Sequence, residues 1–298
     1  MVYNTKLLEK GIRAQFERSM QEMIQRPYLS AVRRLYTEAP SNASQETYAW
    51  LGDIPGVREW IGDKSLGGLE DYSYTIKNKD WYDGFSIDRN ELEDEQIAAI
   101  GPRVQALAMS VAQWPADLVV QLIKNGETNL AYDGSSFFAN RSTNDNMVSG
   151  SGSSASNIAT DITTARSRMM KFVSDTGRVM GLVPNVMAVP PELERAALEA
   201  VRSATISTNV NSDGIGYNPV SDFGIQVIPM PQLEDANDWY MFATDFPLRP
   251  FIFQNRRGVD TVLDDTEVAR NRKLHYSAEM RGNAGYGFYQ MAIKVTNS

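Results

Sequence analysis

Tyr72-Ser-Tyr74-Thr-Ile76 opens the stretch that decides the fold, and Phe85-Ser-Ile87 follows it across Lys77–Gly84. In both runs the large apolar groups fall on every second residue, the period of a half-buried strand. Asp83-Gly84 supplies residue types that tolerate positive φ, so the two runs are expected to pair as a long hairpin. After them the period changes. Asn90 and Glu93 have the spacing of a capping box with Asn in the cap position. Ile97, Ile100, Val104, Leu107, Ala108 and Val111 then recur at three- and four-residue steps, an apolar helical stripe. Glu91, Glu93, Asp94 and Glu95 lie where carboxylates oppose the positive end of the helix dipole. Pro102 and Pro115 are each expected to start a new segment or kink the helix, and Asn125-Gly126 to cap its end. A hairpin feeding a long, broken helix is the expected organising unit.

Working outward, residues 3–26 place Leu7, Leu8, Ile12, Phe16, Met20, Met23 and Ile24 at helical spacing, and Pro27 ends that segment. Such a stripe fits a helix packed on its own domain, or an arm docked on another subunit. Residues 37–47 are polar and read as a loop. Trp50–Asp63 combines three glycines and a proline with two tryptophans, a turn-rich segment with anchored aromatics. Ala131–Phe138 sets a turn beside an aromatic pair. Residues 139–157 are almost all small or polar and read as a flexible boundary between lobes.

Beyond it, Ile162, Ala165, Met169, Phe172 and Val173 make a helical face. Asn185–Val189 is a short apolar strand, and Pro190-Pro191 starts a helix carrying Leu193, Ala196, Ala197, Ala200 and Val201. Ile225–Pro229 and Trp239–Ala243 follow as strands, so residues 158–248 are expected to form a mixed sheet with helices against it. From residue 249 the pattern is all strand: Phe251–Gln254, Val259–Leu263, Leu274–Met280 and Tyr286–Val295. These are expected to return to the first lobe beside the long helix.

Composition narrows the function. With 298 residues, 42% hydrophobic and 22% charged, the chain can bury a sizeable core. No apolar run reaches the length of a membrane helix, and the N-terminus lacks a signal-peptide core. The absence of cysteine excludes disulfides and thiolate metal sites. Net charge is −8, yet residues 1–34 hold seven Lys/Arg against three Glu, so the rest carries −12. Such a body would not grip a phosphate backbone over a wide face, though it could line a container for nucleic acid.

Chemistry finds little foothold. His275, the single histidine, sits in an alternating strand without a Ser or Cys partner in any motif. Glu91, Glu93, Asp94 and Glu95 are explained by the helix start; Asp133, Asp145, Asp264 and Asp265 occupy turn-like contexts, and a glycosidase needs a carboxylate pair across a cleft. Asn209–Gly214 mimics the opening of a calcium loop, but Val220 stands where the bidentate glutamate is due. The expectation is therefore no catalytic residue, no metal ligand and no cofactor. Tyr74, Lys77, Lys79, Trp81 and Tyr82, on the hairpin, are instead expected to contact another protein chain.

Trp50–Asp63, Tyr74–Asn78, Ile87–Arg89, Glu93–Gln96, Tyr132–Gly134 with Phe137-Phe138, and the closing Arg281–Gln290 together resemble the Mu-like phage major head subunit family. That resemblance implies an α+β chain with the tailed-bacteriophage major capsid fold of the Hong Kong ninety-seven type. By it, residues 1–34 would be an N-terminal arm and 66–90 an extended hairpin loop reaching a neighbour. Residues 35–65, 91–157 and 249–298 would be a discontinuous peripheral domain with its spine helix at 91–125, and 158–248 an axial domain. It also implies a subunit that assembles with itself into pentamers and hexamers of an icosahedral shell around double-stranded DNA. Scaffold, portal and decoration proteins would be further partners, with assembly in the bacterial host cytoplasm and a final place in the virion. A tail or baseplate protein and a carboxylate-based hydrolase are the alternatives left by the residues alone.

Overall fold

The computed structural model describes residues 5–48, 74–88, 97–174, 177–207, 215–266 and 272–297. The expected features at Trp50–Asp63, Asn90–Glu95 and Asn209–Gly214 lie outside them. Helix α1 (Thr5–Ile24) is followed by α2 (Pro27–Arg33), with Pro27 in the first turn, where its missing N–H costs no bond. Strands β1 (Tyr36–Pro40) and β2 (Gln45–Tyr48) come next. The sequence reads this region as a loop, because polar Thr37, Glu38, Gln45 and Glu46 hide a register that only pairing supplies.

β3 (Tyr74–Lys77) and β4 (Lys79–Asp88) do not pair with each other. β3 is antiparallel to β2, with Tyr48 opposite Tyr74 and Gln45 opposite Lys77. β4 is antiparallel to β12 (Lys273–Tyr286), which also pairs with β11 (Phe251–Asp264). The expected pairing of the two runs as a hairpin is thus corrected: each has another partner, and Gly84 lies within β4 opposite Ser277. Period-2 alternation names a strand and its buried face but says nothing about its partner. The resulting sheet has the order β1-β11-β12-β4, with β1 parallel to β11. Two register shifts near Arg257 mark bulges in the 14-residue β11, which increase local twist.

Helix α3 (Ile97–Lys124) runs unbroken through Pro102 and Pro115, so neither proline ends it. Gly126 is not a left-handed cap. A Cβ there would stand 2.4 Å from the Phe138 ring, so the glycine lets the buried aromatic pair close against the end of the helix. The segment Ile100–Lys124 is long and apolar enough by composition to cross a membrane, although no unbroken apolar run in the sequence is that long. Half of it is buried in the protein, as expected of a core helix. Its first half meets Ile12 and Phe16 of α1 and Leu274, Tyr276, Ala278 and Met280 of β12 in one apolar cluster. Its second half, through Ala116, Val119, Val120 and Ile123, enters a separate and larger cluster.

That larger core holds the second sheet. β5 (Met147–Ser149), β6 (Val186–Val189), β9 (Gln226–Pro229), β10 (Trp239–Phe242) and β13 (Ala292–Thr296) form it in the order β5-β13-β10-β6-β9. It is mixed, with β5–β13 and β6–β9 parallel and the two central pairs antiparallel. Helices α4 (Ala155–Met170) and α5 (Glu194–Arg202) pack with it, and β7 (Thr205–Ser207) pairs with β8 (Ile215–Tyr217) in a separate two-stranded ladder among the described residues. One expectation changes here. The closing run Tyr286–Val295 is not a single strand: β12 ends at Tyr286, a 3₁₀ turn spans Tyr289–Met291, and β13 crosses into the second sheet.

Residues 139–157 are not a loose linker. Arg141 bonds Asp133 at 2.8 Å and the Ser136 carbonyl at 2.7 Å, and its guanidinium lies 3.7 Å from the centre of the Tyr289 ring. Ser151 donates through both N–H and Oγ to the buried Asp161. A polar segment holds its place when its polar groups bond one another and the backbone, which composition alone does not report.

Candidate assembly surface

The β2–β3 ladder brackets residues 49–73, and a buried polar cluster fixes its base. Gln254 is fully buried; its Nε2 donates to Asn78 Oδ1 at 2.7 Å, and its Oε1 accepts from the Tyr48 hydroxyl at 3.0 Å. Asn78, the one residue between β3 and β4, donates from Nδ2 to Ser41 Oγ and to the Ala43 carbonyl, both at 2.9 Å. Glu46 accepts from the backbone N–H groups of Asn42 and Ala43 and from Ser41 Oγ. Those bonds, the Asn42 N–H foremost, hold its carboxyl below the usual range. Thr47 and Thr75 share a hydroxyl bond of 3.0 Å on the facing side. On the core side Ile76 presses on Gly285, where a Cβ would meet its Cδ1 at 2.5 Å.

Four of the five expected contact residues gather around one open cleft of about 400 Å³ between β3, β4 and α3. Tyr74 is half-buried, its hydroxyl accepting from the Tyr286 N–H at 3.1 Å. Lys77 and Lys79 are exposed at the rim. Trp81 is not on a β3–β4 hairpin, since β4 pairs with β12. It lies half-buried in β4, with its indole N–H on the Gly282 carbonyl at 3.0 Å and its ring 6.1 Å from that of Trp114. The far wall is Leu118, Gln121 and Leu122 of α3, followed by Leu130, which is 59% exposed. Tyr82 is the one left out. Strand alternation turns it from the side of Trp81, and it stands 84% exposed opposite Glu279.

Sequence reasoning missed Tyr48, Gln254 and Leu130 as parts of this region. The alternating Gln45-Glu-Thr-Tyr48 was a usable strand signal; nothing in the chain marks Gln254 as a partner for residues more than 170 positions away. The residues weighed for chemistry serve local structure: Asp133 pairs with Arg141, Asp145 with Arg168, and Asp264 accepts from Thr266. His275 lies opposite Asp264 on one side and Ser86 on the other. Among the described residues no group of three His, Asp or Glu side chains is placed to hold a metal ion.

The profile of the family described as Mu-like prophage major head subunit gpT matches residues 5–164, 152–233 and 230–298. The Mu-like prophage FluMu major head subunit of Haemophilus influenzae is 26% identical over 87% of this chain and 64% of its own length. The major capsid protein of Escherichia phage Mu is 25% identical over 86% of this chain and 63% of its own. The chain therefore spans just under two thirds of these relatives' length. In structure, the chain in the procapsid of bacteriophage JBD30 superposes with a TM-score of 0.57 at 22% identity, covering 98% of this chain and 76% of that one. The α+β architecture is that of the tailed-phage capsid fold, and the chain belongs to the Mu-like prophage major head subunit gpT family.

Proposed function

We propose that this chain is the major capsid subunit of a Mu-like phage or prophage head and self-assembles into an icosahedral shell enclosing phage DNA. The observation that carries the reading is the family match in three successive blocks from residue 5 to residue 298. The mechanism is binding rather than catalysis: many modest interfaces, each with an apolar centre and polar rim, add through closed symmetry. Pentamers and hexamers are the assembling units. Scaffold, portal and decoration proteins complete the head, which is built in the bacterial host cytoplasm. The net charge of −8 supports a wall that encloses double-stranded DNA without holding it, since few phosphates are neutralised.

Within the subunit, residues 1–34 are the arm and carry α1, and residues 35–65, 91–157 and 249–298 are the peripheral domain with α3 as its spine. Residues 158–248 are the axial domain, with β5 and β13 of the five-stranded sheet supplied by the peripheral segments. The extended loop is placed at residues 66–90, which include β3 and β4. The cleft lined by Tyr74, Lys77, Lys79 and Trp81 is then its root, and contacts a neighbouring copy. Negative-stain electron microscopy of the purified chain, alone and with its neighbouring head genes co-expressed, tests the reading. Closed shells or rings of five and six support it; tubes, or a monomer under both conditions, overturn it.

A further inference from the structure

Lys294 stands apart from the assembly surface. It lies on β13, in register with Tyr240 of β10, and only 8% of the residue is exposed. Its Nζ is 2.6 Å from Oδ2 of Asp238, itself 6% exposed, and also bonds Oε1 of Glu127, just past the end of α3. Asp238 directly precedes β10 and sits diagonally across the ladder from Lys294, on the same face as Tyr240. Its other oxygen, Oδ1, accepts the backbone N–H of Asn297 at 3.0 Å. The Tyr240 ring closes the site, 5.7 Å from Nζ.

Two carboxylates around one buried ammonium leave a charge surplus and a heavy desolvation cost. Burial works against the charged amine, yet the hydrogen bonds to Asp238 and Glu127 outweigh it and raise the Lys294 pKa. What sets this cluster apart from an ordinary ion pair is that an amine, a carboxyl carbon, a proton acceptor and a donor to the carboxyl oxygen converge on one point.

We propose that Lys294 and Asp238 form an intramolecular isopeptide bond, with Glu127 as the proton carrier. Glu127 takes one proton from the ammonium, which frees the lone pair on Nζ, and passes it to Oδ2, so that a neutral amine faces a neutral carboxyl group. Nζ then attacks Cγ of Asp238 while the Asn297 N–H holds the negative charge that develops on Oδ1. Oδ2 leaves as water, carrying the proton returned by Glu127 and a second proton from Nζ. Ammonium plus carboxylate gives amide plus water, with no oxidant, cofactor or co-reactant. The register of β10 and β13 holds Nζ 2.6 Å from Oδ2, the oxygen bonded to the carbon it attacks, so the step is effectively unimolecular. The product removes two buried charges and leaves only Glu127, whose side chain is 45% exposed. It also staples the last strand of the chain to the centre of its sheet.

Intact mass spectrometry of the denatured full-length chain, followed by peptide mapping, reads this directly. The expected wild-type mass is one water below the sequence mass, with a branched peptide joining the segments that carry Asp238 and Lys294. Lys294→Arg keeps the ion pair and the fold but cannot form the bond, and is expected at full mass with an unchanged circular dichroism spectrum. Glu127→Gln, at a partly exposed position, is expected to fold and to link about 10²-fold more slowly or worse. Wild-type chain at full mass, with both residues in separate linear peptides, overturns the proposal. A lost water that maps instead to an Asp-Gly succinimide overturns it equally, and a Glu127→Gln chain linked as fast as wild type removes Glu127 from the step.

Discussion

The two sheets of this subunit bury their strands in opposite ways. β12 alternates exposed or half-buried with buried residues along most of its length, whereas β6 and β10 are buried at every position. The first sheet has one face on α1 and α3 and turns the other outward; the second is enclosed by α4 and α5 and by aromatics such as Phe138. Helix α3 belongs to both, one half in each apolar cluster. A strand covered on one side writes a period of two into the sequence, and a strand covered on both writes an unbroken apolar run. The outward face is the one that shows polar residues and lone aromatics to solvent, and it carries Tyr82.

The comparison breaks hardest at the enclosed sheet. Phe242→Ala, at a fully buried site, is expected to cost about 3–5 kcal/mol in urea unfolding of the unassembled subunit. Leu107→Ala, in the smaller cluster beside α1, should cost about 2–4 kcal/mol. If the shared helix couples the two cores, each variant shifts the whole transition; a second transition seen only with Leu107→Ala would make the cores independent. Gln254→Ala removes the acceptor of the Tyr48 hydroxyl and the donor to Asn78 Oδ1 at the base of the β2–β3 ladder and is expected to lower stability by about 1–3 kcal/mol.

Titration sharpens the contrast further. Burial in the enclosed sheet pushes the Tyr240 phenol up to about 12, against roughly 10 in an unfolded chain. The folded state therefore keeps a proton that the unfolded state gives up, and stability falls as pH rises from about 10 toward 12. Tyr240→Phe removes that increment, visible as a smaller drop in the urea midpoint between about pH 9 and pH 11. The smallest effect belongs to Tyr82→Ala on the outward face. It should leave subunit stability within about 0.5 kcal/mol, so any loss of assembly by that variant reports a contact between copies. Unchanged assembly would remove Tyr82 from the surface.

Much of this was legible residue by residue. α1, α3, α5 and the strands at Val186–Val189, Gln226–Pro229 and Trp239–Phe242 follow from spacing of apolar groups, because helix and strand periodicity are local properties of the chain. The turn beside Phe137-Phe138 and the absence of thiol chemistry are read the same way. Partnership was not legible. Tyr74–Ile76 pairs with Gln45–Tyr48 rather than with Phe85–Ile87, and β13 leaves its neighbour β12 for the other sheet. Residues 139–157 hold their shape through Arg141, Asn146 and Asp161, whose partners lie both near and far in sequence. The sequence by itself thus determined which segments are helix or strand and which face of each is apolar. Only the tertiary structure decided which strands meet, where Trp81 and Tyr82 point, and that Lys294, Asp238 and Glu127 share one buried point. Local propensity acts between neighbours in the chain, while pairing and burial are settled by contacts whose sequence separation no local pattern encodes.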